Sequence, residues 1–412
     1  MKVLILSTYE KSGGAAIAAN RLMNALNKNG VKASMLCRKS ITWGPKALRK
    51  QSWTSIWERF VVWINNGFSM KNLWALDIAN CGQDIFHTKE YQEADIVHLH
   101  WVNQGFLSLD AIEKIAKSGK KVVMTMHDMW YSTSICHHAY ECESYKRHCR
   151  ECKLMRMDFA KHLVSHVYDR KRIAYSKSDI EVVAVSRWLA GMARESGLTK
   201  DLHVSVVPNS ISLTDFRLLD KGECRKELGI ATDRYVIVFC AARLDEKVKR
   251  MNLLLDALNV LVGKHTEWKE RIELRLIGGM KDKSMLDAIP VAYSYLGVVR
   301  DVQKMNKEYS AADIVASTSY YETFGQTLAE AQASGCMPVA FDGSGPSDII
   351  DHKRTGFLVR EQTADAFAEG LEWALTEGRL LVSPLNLRIS AKEKYSEESI
   401  ANMYVQIYNR KR

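Results

Sequence analysis

Short β-branched runs alternate with helical segments along this chain, and the alternation occurs as two successive series. VLILS (3–7), ASMLC (33–37), IVHLH (96–100), KVVMTM (121–126), EVVAVS (181–186) and VSVVP (204–208) form the first series. YVIVFCA (235–241), ELRLIG (273–278), IVAST (314–318), MPVAF (337–341) and GFLV (356–359) form the second. These runs are mostly apolar along their whole length, as strands covered on both faces are, so they read as parallel strands under helical layers. The pattern predicts an α/β chain with two doubly wound sheets and a ligand site beyond the carboxyl ends of the strands. Pro208 and Asn209 mark the junction, because the residue before proline is held extended and Asn suits a turn.

A chain of 412 residues exceeds the size at which one core keeps growing, which agrees with two domains. With 47% hydrophobic and 26% charged residues it is neither a disordered nor a membrane-embedded composition. No apolar run approaches the roughly 18 residues of a spanning helix. MKVLILSTYEK is interrupted too soon for a signal peptide and reads as a first buried strand, so a cytoplasmic protein is expected.

The stretch TSYYETFGQTLAEAQASGCMPVAFDGSGPSDIIDHKRTGFLV (318–359) places Glu322 and Glu330 around a glycine that should open a helix near Gly325. The first N–H groups of that helix, at Gly325, Gln326 and Thr327, have no intrahelical acceptor and lie at a positive dipole end, so an anion suits the spot. Carboxylates on either side can each accept a pair of vicinal hydroxyls. A sugar, a diphosphate and a ribose in a row would match.

This spacing of glutamates, followed by small residues, GCMPV and a Gly-rich turn, resembles the retaining glycosyltransferases of family 4, which have the GT-B fold. SGGAAIAANRL near the start, HDMW at 127–130 and AARLDEKVKRMNLLLDAL at 241–258 agree with that family in order, so the resemblance spans nearly the whole chain. It implies two Rossmann-like domains facing a central cleft, residues 1–208 on the acceptor side and 209–396 binding the nucleotide sugar. The final helix, within 397–412, is then the family's return helix onto the first domain.

Gly13 and Gly14 follow the first strand and precede AAIAANRLMNAL, a helical pattern. Glycine lets a backbone approach a ligand closely, although a plain strand-to-helix turn has the same look. Arg243 and Lys249 follow YVIVFCAA and suit neutralisation of a departing diphosphate, the task the resemblance gives to an Arg and a Lys here. The spacing is one residue longer than the family's usual one, and Arg250 stands where glycine commonly follows the lysine. Lys247 is therefore a rival to Lys249, which is preferred because MNLLLDAL follows it closely. The resemblance assigns His127 a hydrogen bond to the transferred sugar or to the backbone beside the reacting carbon; a structural histidine satisfied within the fold is the alternative. No D-x-D triplet occurs, so no catalytic metal is expected.

Cys136, Cys142, Cys149 and Cys152 fall within 17 residues, while the other five cysteines are scattered. In a reducing compartment such a group could surround a structural zinc, with His137, His138 and His148 as substitute ligands, or remain four reduced thiols.

Residues 1–76 contain 12 Lys+Arg against 2 Asp+Glu, a surplus of 10 that equals the net charge of the whole chain. In KALRKQSWTSIWERFVVWINN (46–66), Trp53, Ile56, Trp57, Phe60 and Ile64 recur at helical spacing beside a basic flank. Such a helix could lie on an anionic membrane and meet a lipid-linked acceptor, but burial against its own domain is the commoner fate of an apolar stripe and the one expected. No nucleic-acid module is recognisable. The sequence thus points to a retaining transferase that moves a hexose or hexosamine from a nucleotide sugar to a glycan acceptor, expected to be lipid-linked, in surface polysaccharide synthesis. A GT-B protein that binds glycan or nucleotide without turnover is the alternative, and a nucleic-acid-binding metalloprotein is more remote.

Overall fold

The computed structural model describes residues 1–39, 46–47, 52–156, 160–176 and 179–410. The chain divides into two compact units, Met1–Asn209 with Ile400–Arg412, and Ser210–Ser399.

The first unit holds a parallel seven-stranded sheet of β1 (Lys2–Tyr9), β2 (Lys32–Lys39), β3 (Lys46–Ala47), β4 (Ile96–Leu99), β5 (Lys121–Met126), β6 (Ile180–Ala184) and β7 (His203–Val206). Their order is β3-β2-β1-β4-β5-β6-β7, so the winding reverses between β1 and β4. Leu6 of β1 pairs with Leu36 on one side and Leu99 on the other. Val3, Ile5, Met35, Ile96, Val123 and Val183 are buried beneath Leu22 and Leu26 of the helix Gly14–Lys28. Ile400, Tyr404, Ile407 and Tyr408 of the terminal helix Glu397–Asn409 join the same core.

The second unit holds β8 (Tyr235–Arg243), β9 (Ile272–Gly279), β10 (Ala292–Gly297), β11 (Ile314–Ser317), β12 (Met337–Phe341) and β13 (Phe357–Val359), all parallel, in the order β10-β9-β8-β11-β12-β13. The reversal here lies between β8 and β11. Leu254, Leu258 and Leu261, three or four apart on the helix Met251–Lys264, pack with the adjacent Leu255 on Ile237, Phe239, Leu274 and Leu276. Each unit is thus a doubly wound α/β sheet, and the switch points lie where such folds take their ligands. The sequence pattern misses β3, which is two residues long, and β10, an edge strand with no fully buried position.

One expectation is overturned. The helix Ser52–Asn65 does not bury its apolar stripe: Trp53 is 78% exposed, Ile56 57%, Trp57 55% and Phe60 44%. Glu58, Arg59 and Val62 face inward instead. Glu58 accepts from the backbone N–H groups of Ile78 (3.0 Å) and Ala79 (2.7 Å), and Arg59 donates to the Leu73 and Leu76 carbonyls and pairs with Asp77 at 3.2 Å. The loop that follows buries backbone groups with no ladder partner, and the two charged side chains satisfy them, which turns the aromatic face outward. Arg49 and Lys50 of the basic flank lie outside the described residues.

Candidate active site

In the second unit, the loops after β8, β11 and β12 carry the functional side chains. Arg243 closes β8, with Nη2 3.3 Å from Asp245 Oδ1, and Asp245 is anchored in turn by the N–H groups of Lys281 and Asp282. Lys249 Nζ lies 2.6 Å from Glu322 Oε1, and the Ser319 hydroxyl donates to the same oxygen at 2.7 Å. Burial alone would lower the Lys249 pKa, but the Glu322 carboxylate outweighs it and raises the value, so the ammonium persists. The structure pairs Lys249 with this glutamate, whereas Lys247 is exposed.

Arg250 has φ 47° and ψ 49°, a left-handed conformation that glycine adopts without strain and that costs another residue on the order of 1–3 kcal/mol. Its guanidinium offsets this by donating to the Thr318 carbonyl at 2.9 Å and lying 4.9 Å from the Phe341 ring centre. A backbone demand for glycine is thus met by an arginine tied to the next loop. The Thr318 hydroxyl donates back to the carbonyls of Lys249 (2.9 Å) and Arg250 (3.0 Å), which fixes the two loops together.

Gly325 is the N-cap of the helix Gln326–Ala333, at φ 99° and ψ 50°. A Cβ there would be strained and would lie 3.2 Å from Ile349 Cδ1. Gln326 and Thr327 therefore start the helix with their N–H groups free of intrahelical acceptors. Gln326 Nε2 donates to Glu330 Oε1 at 3.1 Å, one turn along. Two residues that the sequence pattern does not single out hold the loop. Ser344 Oγ accepts from the Glu322 N–H at 3.3 Å, and the Gly345 N–H donates to the Glu322 carbonyl at 2.8 Å. A Cβ on Gly345 would come 2.5 Å from the Phe324 carbonyl oxygen, so the close approach requires glycine.

In the first unit, Gly13 (φ 88°) and Gly14 lie at the exposed start of the helix after β1. Beyond β4 and β5 stand His100 and His127, with His100 Nδ1 2.8 Å from His127 Nε2. Burial pushes the His127 imidazole down to about 4, against a smaller opposing effect of Asp128. Asp128 accepts from the Trp101 indole (2.8 Å) and the Trp130 N–H (2.8 Å), and its Oδ2 is 2.8 Å from His137 Nδ1. Burial would raise the Asp128 carboxyl, but His137, with smaller effects of His138 and the Trp130 N–H, holds it well below the usual carboxylate range. Sequence reasoning missed Trp101 and His100, whose only signal was their position just past the end of β4, and it took His137 for a substitute metal ligand, whereas its Nδ1 bonds Asp128.

Cys136, Cys142, Cys149 and Cys152 all line one cavity of about 20 Å³, together with Tyr145 and Val164. A hydrogen bond between two of the thiols brings Cys152 down to about 7 and pushes Cys136 up. Among the described residues no three of His, Cys, Asp or Glu stand as a ready ligand set for a metal ion. His148 does not face this cavity but bonds Asp169 at 3.2 Å.

Residues 12–215 match the model of Glycosyltransferase Family 4 and residues 220–394 that of Glycosyl transferases group 1. The chain belongs to the family 4 type of GT-B glycosyltransferases. Among curated relatives, D-inositol 3-phosphate glycosyltransferase of Nocardia farcinica is 30% identical over 48% of this chain and 46% of its own length. An uncharacterized glycosyltransferase of Methanocaldococcus jannaschii is 27% identical over 55% of this chain and 59% of its own. The chain thus spans about half the length of the curated relatives it matches. Among solved structures, sucrose-phosphate synthase from Thermosynechococcus elongatus aligns with TM-score 0.68 at 18% identity, covering 99% of this chain and 98% of that one. Anabaena HepE in complex with UDP-glucose aligns with TM-score 0.65 at 17% identity, covering 99% of both chains. At these identities the likeness is one of fold.

Proposed function

We propose that the chain transfers a hexose or hexosamine from a nucleotide sugar to a glycan acceptor with retention of anomeric configuration. The observation that carries this reading is the second unit's juxtaposition of a paired cation with an open helix start. Lys249 is held by Glu322, and Gly325 leads into the free N–H groups of Gln326 and Thr327 three residues later. A cation and a helix N-terminus stabilise the charge that develops on a departing nucleoside diphosphate. Glu330, near the helix start, is the acceptor for ribose hydroxyls, and Arg243 is the second phosphate cation. In the first unit His127 hydrogen-bonds the sugar, and Gly13 and Gly14 bring backbone close to it. No side chain is assigned as nucleophile; the acceptor hydroxyl attacks the face from which the phosphate departs, and the phosphate oxygen takes its proton. Nucleotide-sugar complexes of structural neighbours such as HepE support a donor of this kind.

A thermal-shift screen over UDP, GDP, dTDP and CMP sugars tests the reading, because a ligand that binds only the native state raises its stability by mass action. At least one donor should stabilise the protein, its turnover should persist in EDTA, and the product should keep the donor's configuration. An inverted product, or no shift and no donor cleavage with any of them, rejects it.

We further propose that the acceptor is lipid-linked, within surface polysaccharide synthesis, and is met at an anionic membrane surface on the cytoplasmic side. The outward aromatic face of the helix Ser52–Asn65, extended by exposed Phe68, Met70 and Trp74, supports this. So does the basic surplus of residues 1–76, since indoles favour the headgroup region and cations anionic lipid. No helix among the described residues is long and apolar enough to cross a membrane. For the cysteine loop we propose one structural zinc, supported by four thiols around one cavity. Cys136, Cys142, Cys149 and Cys152 would hold it, although among the described residues they do not stand as a ligand set in this structure.

A further inference from the structure

We infer that His100 is a positioning residue that holds His127 in the tautomer with its proton on Nδ1, so that His127 meets its ligand as a hydrogen-bond donor. The inference rests on the reading above that His127 faces the donor sugar, and it assigns the chemistry of that contact.

β4 and β5 are adjacent and parallel, with Leu99 opposite Met124, so the residues just past their ends come together. His100 is 2% exposed and its carbonyl accepts the Tyr131 hydroxyl at 2.6 Å, which fixes the backbone from which the ring projects. Its ring lies 24° from the plane of His127, with centres 5.1 Å apart. On its other side it contacts His98, whose nitrogens are both engaged, Nδ1 with the Tyr408 hydroxyl (2.8 Å) and Nε2 with that of Thr125 (2.7 Å). Among the described residues the His100 ring has one bonding partner, His127 Nε2, at 2.8 Å.

Burial holds His100 well below the usual imidazole range and His127 at about 4, so at neutral pH each ring carries a single proton. Two arrangements satisfy the bond. If His127 Nε2–H donates, the His100 proton sits on Nε2, a buried atom with no partner. If His100 Nδ1–H donates, that buried Nε2 keeps only a lone pair. Among buried backbone groups an orphaned N–H is rarer than an under-satisfied acceptor, and the same preference extended to the imidazole favours the second arrangement. It places the His127 proton on Nδ1, which is not buried and bonds to nothing among the described residues. An N–H there suits a sugar hydroxyl or phosphate oxygen and cannot itself take the acceptor's proton.

The test is a long-range ¹H–¹⁵N spectrum of the full chain with labelled histidine, in which His127 is assigned by its loss in His127→Gln. A His127 proton on Nδ1 is expected; a proton on Nε2 overturns the inference. In His100→Phe, which keeps a ring and removes the donor, the His127 signals should collapse to a mixture of tautomers. Donor turnover should fall about 10-fold or more with nucleotide affinity unchanged. Retention of the Nδ1 tautomer in a folded His100→Phe would also overturn it. The tautomer itself is read on the wild-type protein without ligand, and His127→Gln serves only to assign the signal. A protein that binds no nucleotide sugar yet shows the Nδ1 tautomer would sink the functional reading and leave His100's role standing.

Discussion

The Lys249 ammonium and the Glu322 carboxylate, 2.6 Å apart, join the loop after β8 to the loop after β11 across the switch point of the second sheet. The pair keeps the lysine charged and fixes where its charge sits, which is what a cation aimed at a departing phosphate requires.

Removing either partner should therefore cost turnover more than folding, because both side chains are only partly buried and such pairs contribute little to stability. Lys249→Ala, Glu322→Gln and Arg243→Ala should each lower kcat/KM by on the order of 3 kcal/mol, the usual cost of losing a preorganised group at a developing anion. Steady-state kinetics on the identified donor checks this. Full activity in Arg243→Ala would move the diphosphate elsewhere.

Glu330→Ala should weaken binding of the free nucleotide, since it removes the proposed ribose acceptor. Calorimetry with the nucleoside diphosphate measures it. An unchanged Kd would remove Glu330 from the site.

Acid should destabilise the first unit earlier than its carboxylates would. His98, at about 3, and His127, at about 4, are held down by burial, and His100 well below the usual range by the same cause. Above the unfolded value near 6.5 neither state is protonated and these groups contribute nothing. As pH falls below that value the unfolded chain takes up protons that the folded chain refuses, and each histidine costs up to about 1.4 kcal/mol per pH unit until its folded value is reached. Asp128, depressed, adds its own loss only below the unfolded carboxylate value near 3.9. Urea unfolding at pH 7.5, 6.5, 5.5 and 4.5 should show the decline starting near 6.5. A flat profile down to pH 5 would mean the rings are protonated in the fold.

The protein should co-sediment with vesicles containing anionic lipid and less so as salt rises. Trp53→Ser with Trp57→Ser should abolish most of that binding without lowering stability, as each large apolar side chain lost from the interface costs about 1.5–3 kcal/mol. Equal binding by this double variant would assign the exposed face to another role.

Metal analysis of protein purified without chelator should find close to one zinc per chain. Cys149→Ser should lower the midpoint of thermal unfolding, since structural zinc contributes directly to folding. A content below about 0.2 per chain would leave four thiols in a compact loop, because a closed thiolate site binds tightly enough to persist.

The amino-acid sequence by itself determined the two parallel sheets, since strands buried on both faces must be apolar along their length and their spacing leaves room for crossover helices. It also marked the helix start at Gly325, because that glycine, the small residues after it and the neighbouring glutamates are local signals. Tertiary structure decided what depends on partners far away in the chain. Which lysine meets Glu322 is settled by a contact across 73 positions, and the pairing of His100 with His127 by the register of two adjacent strands. The helix Ser52–Asn65 shows the limit most plainly: periodicity identified its apolar face, but the backbone groups that Glu58 and Arg59 had to satisfy turned that face outward. Periodicity records which residues share a side, and only the hydrogen-bonding needs of the surrounding fold determine which side is buried.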